Sequence, residues 1–397
     1  MLPQATIKSL PEAFRIVNEM NLTDSAVWDG DYRAEARMAV KNILDGRLKR
    51  AVDYHLFQMA SRGLYDRRNG HYTRNLLTEL GSIELCVPRS RKFSAGAVLT
   101  AYARRARHVD SMIMACFVLG LSTRKVSQAL LPVLGEPVSA SVVSQVAKTL
   151  DSAVESFHRR QLADRYRALV FDGVVLSRKT GAGAVRRPAL VALGIRHDGK
   201  KEIIDFRLAK SESAAEWEVF LNDLYRRGLT GDGTELICVD GGKGLEAALP
   251  LVYPSIVTQR CWAHKTRNIT DKVRKGDREE VKKGLHKISH AKNVVEARSA
   301  AGKWALKWEK DYPEAVKCLR RDMDELLNFL KFKDDKWRTA TRTTNAIERR
   351  FREVRRRTRP MGVFGDRTSM ERILFAVFMN ENRNQGSFTP FALTQNT

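Results

Sequence analysis

RALVFDGVVL, residues 167–176, places one carboxylate, Asp172, in the middle of an apolar run. The run reads as a strand, and an ionised carboxylate in a mostly buried strand is costly unless it is paired or binds a metal. Gly173, the next residue, lets another group approach the backbone closely. An Asp opening a turn, with Arg165 or Arg167 as its salt partner, is the plainer alternative.

Four further strand-like runs follow: PALVALGIRHDG (188–199), EIIDFRLA (202–209), ELICVDGG (235–242) and IVTQRCWAH (256–264). His197-Asp198-Gly199-Lys200 between the first two is a hairpin signal. Between EIIDFRLA and ELICVDGG lies AAEWEVFLNDLYRRG (214–228), which puts Trp217, Phe220, Leu221, Leu224 and Tyr225 on one helical face before Gly228 ends it. Three strands in a meander, a helix, a strand, a helix and a strand is the order of a ribonuclease-H-like fold. Residues 266 to about 340 lack strand signals, and Trp304, Trp308, Leu319, Leu326, Leu327 and Leu330 are their core candidates. A helix at 345–357 then returns to the sheet. A last amphipathic helix, Ser369–Asn382, carries Ile373, Leu374, Val377 and Phe378.

Upstream, residues 1 to about 68 show helical spacing, with Ala39 and Ile43, then Leu48, Val52 and Leu56. Asn69-Gly70 is a turn signal. LLTELGSIELCVP (76–88) alternates around a Gly-Ser turn. Arg91 and Lys92 in the basic tract after it suit either phosphate contact or a solvated loop. Residues 109–150 read as three short helices: Asp110–Leu119, then Thr123–Leu134 capped by Ser122, then one capped by Ser139 or Ser141. On the third, Val142, Val146 and Leu150 form the expected buried stripe, while Ser144, Gln145 and Lys148 face outward. With Arg124 and Lys125 in the first turn of the second helix, this is a helix-turn-helix layout, although a helical bundle for subunit contacts has the same pattern.

The expected class is therefore α+β/α/β: a ribonuclease-H-like core with an all-helical insertion, preceded by a mostly helical DNA-binding region. The boundaries are a helical region 1–70, a small β-containing region 71–108, a helix-turn-helix region 109–160, the first part of the core at 161–265, the insertion at 266–340, and core completion at 341–397.

The net charge is +24, with 70 Lys+Arg against 46 Asp+Glu, while 43% of residues are hydrophobic. Large cores can be buried, and the excess positive field attracts polyanions. The longest apolar run, Met112–Leu121, has about half of the ~20 residues that a spanning helix needs. The N-terminus lacks a signal-peptide pattern. Five cysteines without a CxxC pair do not suggest a disulfide framework. A soluble cytoplasmic protein, nucleoid-associated and bound to DNA rather than a membrane, is expected.

Two more carboxylates complete a candidate triad. Asp240 ends LICV, at the carboxyl end of a strand, where α/β folds place chemistry; an Asp-Gly turn or a helix N-cap explains it equally. Gly241-Gly242-Lys243 lacks the spacing of a phosphate loop. Glu348 lies three residues after Asn345 in TTNAIERRFREVRRRTR, either as half of a capping box or with Asn345 on a face aimed into a site. Seven arginines lie between Arg349 and Arg359. Helical spacing sets Arg352, Arg355 and Arg359 near the Glu348 face, with Arg356 beside them, where phosphates would lie. Three carboxylates on this fold can hold two Mg²⁺ (or Mn²⁺) ions roughly 4 Å apart. Cys261 and His264, with His286 and His290, are a weak candidate zinc set. His264 alternatively contacts DNA or orients a carboxylate, and Trp262 stacks on a base or packs in the core.

These stretches resemble the mutator-type bacterial insertion-sequence transposases, relatives of the eukaryotic mutator and hAT elements. The resemblance rests on RNGHYTRNLLTELGSIELCVPRSR, GLSTRKVSQAL with SASVVSQ, the FDG at Asp172, VDGGKGL at Asp240, QRCWAHKTRN, and TTNAIERRFREVRRRTRPMG at Glu348, in the family's order over roughly residues 60–385. It implies an Asp-Asp-Glu triad at Asp172, Asp240 and Glu348, and a Cys-x2-His motif at Cys261 and His264 that is not a zinc site. It further implies an N-terminal region binding terminal inverted repeats, target DNA as second substrate, and dimers or larger assemblies. The activity so implied is Mg²⁺-dependent 3′-end cleavage and strand transfer. A non-catalytic DNA-binding regulator (a domesticated transposase) and a ribonuclease-H-like nuclease are the competing readings.

Overall fold

The computed structural model describes residues 32–97, 105–180, 183–384 and 386. The helical reading of residues 1–31 lies outside them. The described residues form two compact units, divided at Ile113/Met114, Val126/Ser127 and Ser139/Ala140.

In the first unit a 30-residue helix, α1 (Tyr32–Ser61), packs on an antiparallel hairpin of β1 (Arg68–Thr78) and β2 (Gly81–Ser90). Its inward stripe is Val40, Leu44, Leu48, Val52 and Leu56, with Leu48 and Val52 fully buried and the others half-buried against Ile83, Leu85 and Val87. Ala39 and Ile43, expected inside, are exposed. Counting back by fours from Leu48 reaches Leu44 and Val40, one position away. The Asn69-Gly70 turn signal is an irregularity inside β1: the register shifts between Arg68 and His71, and Gly70 has φ +70°. The hairpin turns at Glu79-Leu80, not at Gly81-Ser82, because Thr78 pairs with Gly81.

Four helices come next: α2 (Arg107–Val118), α3 (Thr123–Leu134), α4 (Ala140–Lys148) and α5 (Leu150–Arg159). The Ser122 hydroxyl accepts from the Lys125 amide at 3.4 Å, as a cap should. On α4 the buried residues are Val143, Val146 and Ala147, continuing to Leu150, while Val142 is only half-buried. The stripe follows i, i+3, i+4, i+7, the true helical repeat, whereas the expected strict fours drift off the face.

The second unit is built on a five-stranded mixed sheet of order β5-β4-β3-β6-β7: β3 (Tyr166–Thr180), β4 (Gly183–Arg196), β5 (Lys201–Leu208), β6 (Leu236–Val239) and β7 (Thr258–Arg260). β3–β4 and β4–β5 are antiparallel, and β3–β6 and β6–β7 parallel. β4 and β5 meet at the expected hairpin, with Gly199 at φ +82°. The central strands read as continuous apolar runs because both faces are covered. On one face α6 (Ala214–Arg226) and α7 (Lys243–Val252) bury Trp217, Phe220, Leu221, Leu245 and Leu249 against Leu169, Phe171, Ile237 and Val239. Tyr225, expected on that face, is 44% exposed. Elsewhere on the sheet, Phe157 of α5 meets Phe206 of β5 and Phe375 of the last helix.

Helices from α8 (Trp262–Thr270) through α9 (Arg278–Ser289), α10 (Val294–Trp308), α11 (Pro313–Arg321), α12 (Met323–Leu327) and α13 (Asp335–Thr341) follow β7. They share a core of their own with Trp262, Trp304, Trp308, Leu319, Leu326, Leu327 and Leu330. Gln259 and the Trp262 indole both donate to the Leu326 carbonyl, at 3.1 and 2.7 Å, tying this bundle to the sheet. α14 (Asn345–Thr358) returns to pack on β3. α15 (Arg367–Asn384) follows it and is buried nearly all round, from Met370 and Ile373 to Phe378 and Met379, not on one stripe as expected. It lies between α14, α5 and β5.

Candidate active site

The β3–β6 ladder pairs Phe171 with Val239, and the β6–β7 ladder pairs Val239 with Arg260. The next residues along these parallel strands are Asp172, Asp240 and Cys261. They form one row where the sheet's short strands end, neighbouring strands lying about 4.8 Å apart. Asp172 is buried (7% exposed), and its carboxylate accepts from the Gly173 amide at 2.7 Å. Asp240 accepts from the Gly242 amide at 2.8 Å, in a turn made by Gly241 at φ +95°. Arg165 and Arg167, the possible salt partners of Asp172, are engaged elsewhere, with Glu202 and Glu235. Among the described residues no Lys or Arg forms an ion pair with Asp172, Asp240 or Glu348.

Burial pushes the Asp172 carboxyl up to about 7, the charge of Asp240 adds to this, and the Gly173 amide and His264 oppose it. Glu348 contributes to the same upward push. Asp240 and Glu348 thus both act on Asp172, although among the described residues no three His, Cys, Asp or Glu side chains are arranged to hold a metal ion as they stand. Repulsion among hard oxygen donors, which His264 relieves only in part, is the electrostatic condition that a divalent cation relieves.

Glu348 stands in the first turn of α14, capped at Thr344 rather than Asn345. The capping-box alternative fails at its first member, since Asn345 is already inside the helix and exposed. The Thr344 hydroxyl lies 3.3 Å from both Cys261 Sγ and Glu348 Oε1 and gives its single proton to one at a time. His264 Nε2 lies 3.6 Å from Glu348 Oε1, with Nδ1 3.4 Å from the same hydroxyl. A hydrogen bond with Cys261 raises the imidazole to about 9, and the charges of Cys261, Asp172 and Glu348 add to it. Burial works against the Cys261 thiolate, yet bonds from His264 and Thr344 bring its pKa below the ordinary thiol value. Cys261 and His264 therefore join the Glu348 helix to the end of β7. His286 and His290 stack on each other at 3.6 Å, and Trp262 is a buried core residue.

The basic residues divide. Arg352, Arg355, Arg356 and Arg359 are exposed, whereas Arg350 and Arg357 are buried, Arg357 pairing with Glu353. Arg124, Lys125, Gln145 and Lys148 are exposed and Ser144 is half-buried. Beside Asn345 opens a cavity of about 700 Å³ whose lining includes Lys201, Lys336, Arg342 and Arg349. Glu212, which the sequence did not single out, stands beside Gly173. Burial and then the charge of Asp240 raise its carboxyl. No motif marks it, since it precedes the α6 cap Ser213 in a polar loop.

Fold and site define a class: an α/β protein with an acidic site at the ends of parallel strands and a basic helix beside it, suited to a polyanion. The chain belongs to the Mutator family of transposases, whose sequence model matches residues 12–386. It is 29% identical to the transposase for insertion sequence element IS905 of Lactococcus lactis subsp. lactis, over 90% of each chain. It is 30% identical to that for IS1201 of Lactobacillus helveticus, over 85% of this chain and 91% of the relative. It is 31% identical to that for IS256 in transposon Tn4001 of Staphylococcus aureus, over 79% and 80%.

Proposed function

We propose that this transposase uses Asp172, Asp240 and Glu348 as an Asp-Asp-Glu triad on a ribonuclease-H-like core, to cut and join DNA at the terminal inverted repeats of an insertion sequence. The observation that carries the reading is the register that sets Asp172 beside Asp240 on adjacent parallel strands. The strand order and the two helices after β5 and β6 support the core assignment. In this reading the helices between β7 and α14 are an insertion in the core, and the residues before about 160 bind DNA.

The donors are carboxylate oxygens, which suit two Mg²⁺ or Mn²⁺ ions, and such ions activate an attacking oxygen and stabilise a leaving one. Asp172 and Asp240 hold the position at the strand ends. Thr344 and His264 fix the Glu348 carboxylate. The exposed Arg352, Arg355, Arg356 and Arg359 hold the phosphates of the bound strand, and Asn345 faces the substrate beside them. Arg124, Lys125, Ser144, Gln145 and Lys148 contact the repeat DNA. Water cuts the 3′ end, and the freed hydroxyl attacks target DNA in an assembly of two or more chains.

The test is a cleavage and joining assay on terminal-repeat DNA. Asp172→Ala, Asp240→Ala and Glu348→Gln should each abolish both steps while DNA binding survives. Joining at the unsubstituted rate by any of them refutes the triad. Binding without any Mg²⁺-dependent cleavage by the unsubstituted chain would favour a regulator, and cleavage without joining a nuclease.

A further inference from the structure

We propose that the cavity beside Asn345 is a phosphate subsite that holds one nucleotide of the DNA strand passing the Glu348 helix. The phosphate chemistry stands on the cavity itself, while its occupancy by that strand rests on the reading of α14 as a DNA-facing helix. The cavity, of about 700 Å³, opens between the β4–β5 hairpin, α13 and the first turns of α14. That volume lies within the roughly 300–1,000 Å³ of pockets that enclose small ligands. Ile195 and Trp337, both buried, give it an apolar wall. Cations come from all three elements: Lys201 from the hairpin, Lys336 from α13, Arg342 just after it, and Arg349 from α14. The Lys336 stem crosses to the hairpin, its Cε 3.7 Å from where a Cβ on Gly199 would lie.

Charge decides what the cavity takes. Three carboxylates also line it, and each is already engaged. Asp198 accepts from the Lys200 amide at 3.0 Å and pairs with Arg196. Asp334 accepts from the Lys336 amide at 2.7 Å, and Asp335 pairs with Arg338. Among the described residues none of Lys336, Arg342, Arg349 and Arg350 forms an ion pair, and Arg350, 4% exposed, has Nε and Nη2 without a hydrogen-bond partner. Burial lowers the pKa of Arg342, and burial followed by the charges of Arg350 and Arg349 lowers that of Lys201. Desolvated basic groups around a concave space focus a field on an anion. Guanidinium forks match phosphate oxygens. Arg349 directly follows Glu348 in α14 and Asn345 precedes it by less than a turn, so the cavity lies alongside that carboxylate.

The test is acetylation footprinting by mass spectrometry of the full-length chain in chelator. The probes are terminal-repeat DNA with a single-stranded 3′ extension and, separately, ATP. DNA at about ten times its Kd leaves roughly a tenth of the chains free, so acetylation of Lys201 and Lys336 should slow about tenfold. Lys200 and Lys333, near them in sequence but outside the lining, should react as in the free chain. Such selective slowing by DNA supports the proposal whether or not ATP also protects. Equal slowing of all four lysines, or of none, overturns the subsite. Selective slowing by ATP but not by DNA overturns the strand as its occupant. Lys336→Gln with Arg349→Gln, both exposed positions, should keep the melting temperature and lose the protection of Lys201; full protection in that variant also overturns the subsite. Because the measurement needs no catalysis, failure of the cavity and failure of the triad are read separately.

Discussion

Asp172 carries its charge at an energetic disadvantage, and that has a measurable sign. Its carboxyl, ordinarily near 3.8, is raised to about 7 by burial and by Asp240. Between those values the folded chain holds a proton that the unfolded chain has released, so this group's contribution falls as pH rises through the window. In chelator, Asp172→Asn should therefore melt about as the parent does near pH 4 and several degrees above it at pH 8. A constant offset across the pH range would contradict the shift. Asp172 was legible in the sequence because a carboxylate inside RALVFDGVVL violates the apolar pattern.

At the scale of elements, the helical bundle is coupled to the site by charge as well as by its core. Lys265, 2% exposed in the helix that follows Cys261, is ion-paired with Asp322 and donates to the Cys318 carbonyl at 3.2 Å. Breaking a buried pair from one side leaves an uncompensated charge. Lys265→Met should cost about 3–5 kcal/mol by denaturant unfolding, and adding Asp322→Leu should recover most of it. Additive losses would show that the pair does not couple the elements. The sheet and its hairpin were readable from apolar runs and turn residues, and α6 from its period. The faces of α1, α4 and α15 were read less well, because the pattern of a helix does not say how many neighbours surround it. Asn69-Gly70 favours positive φ, which a strand irregularity uses as readily as a turn does.

Across the whole molecule, +24 of net charge is a statement about partners rather than fold. Among the described residues no helix is long and apolar enough to cross a membrane. The affinity for terminal-repeat DNA should fall steeply and log-linearly with salt, as phosphate neutralisation requires. Replacing Arg352, Arg355, Arg356 and Arg359 together by Gln should flatten that slope by about 3–4 units, near 0.9 per lost phosphate contact. An unchanged slope would remove that helix from the DNA track. The order of strands and helices along the chain was visible in the sequence as alternating textures, but the row of Asp172, Asp240 and Cys261 was not, since it is a property of register between separate strands.

The proposed convergence of Asp172, Asp240 and Glu348 on one divalent position is open to direct mapping by replacing Mg²⁺ with Fe²⁺ and generating hydroxyl radicals at the bound metal. The polypeptide should be cut close to residues 172, 240 and 348, with cutting suppressed by excess Mg²⁺ and absent in Asp172→Ala. Cuts confined to other segments, or indifferent to Mg²⁺, would contradict a shared cation site.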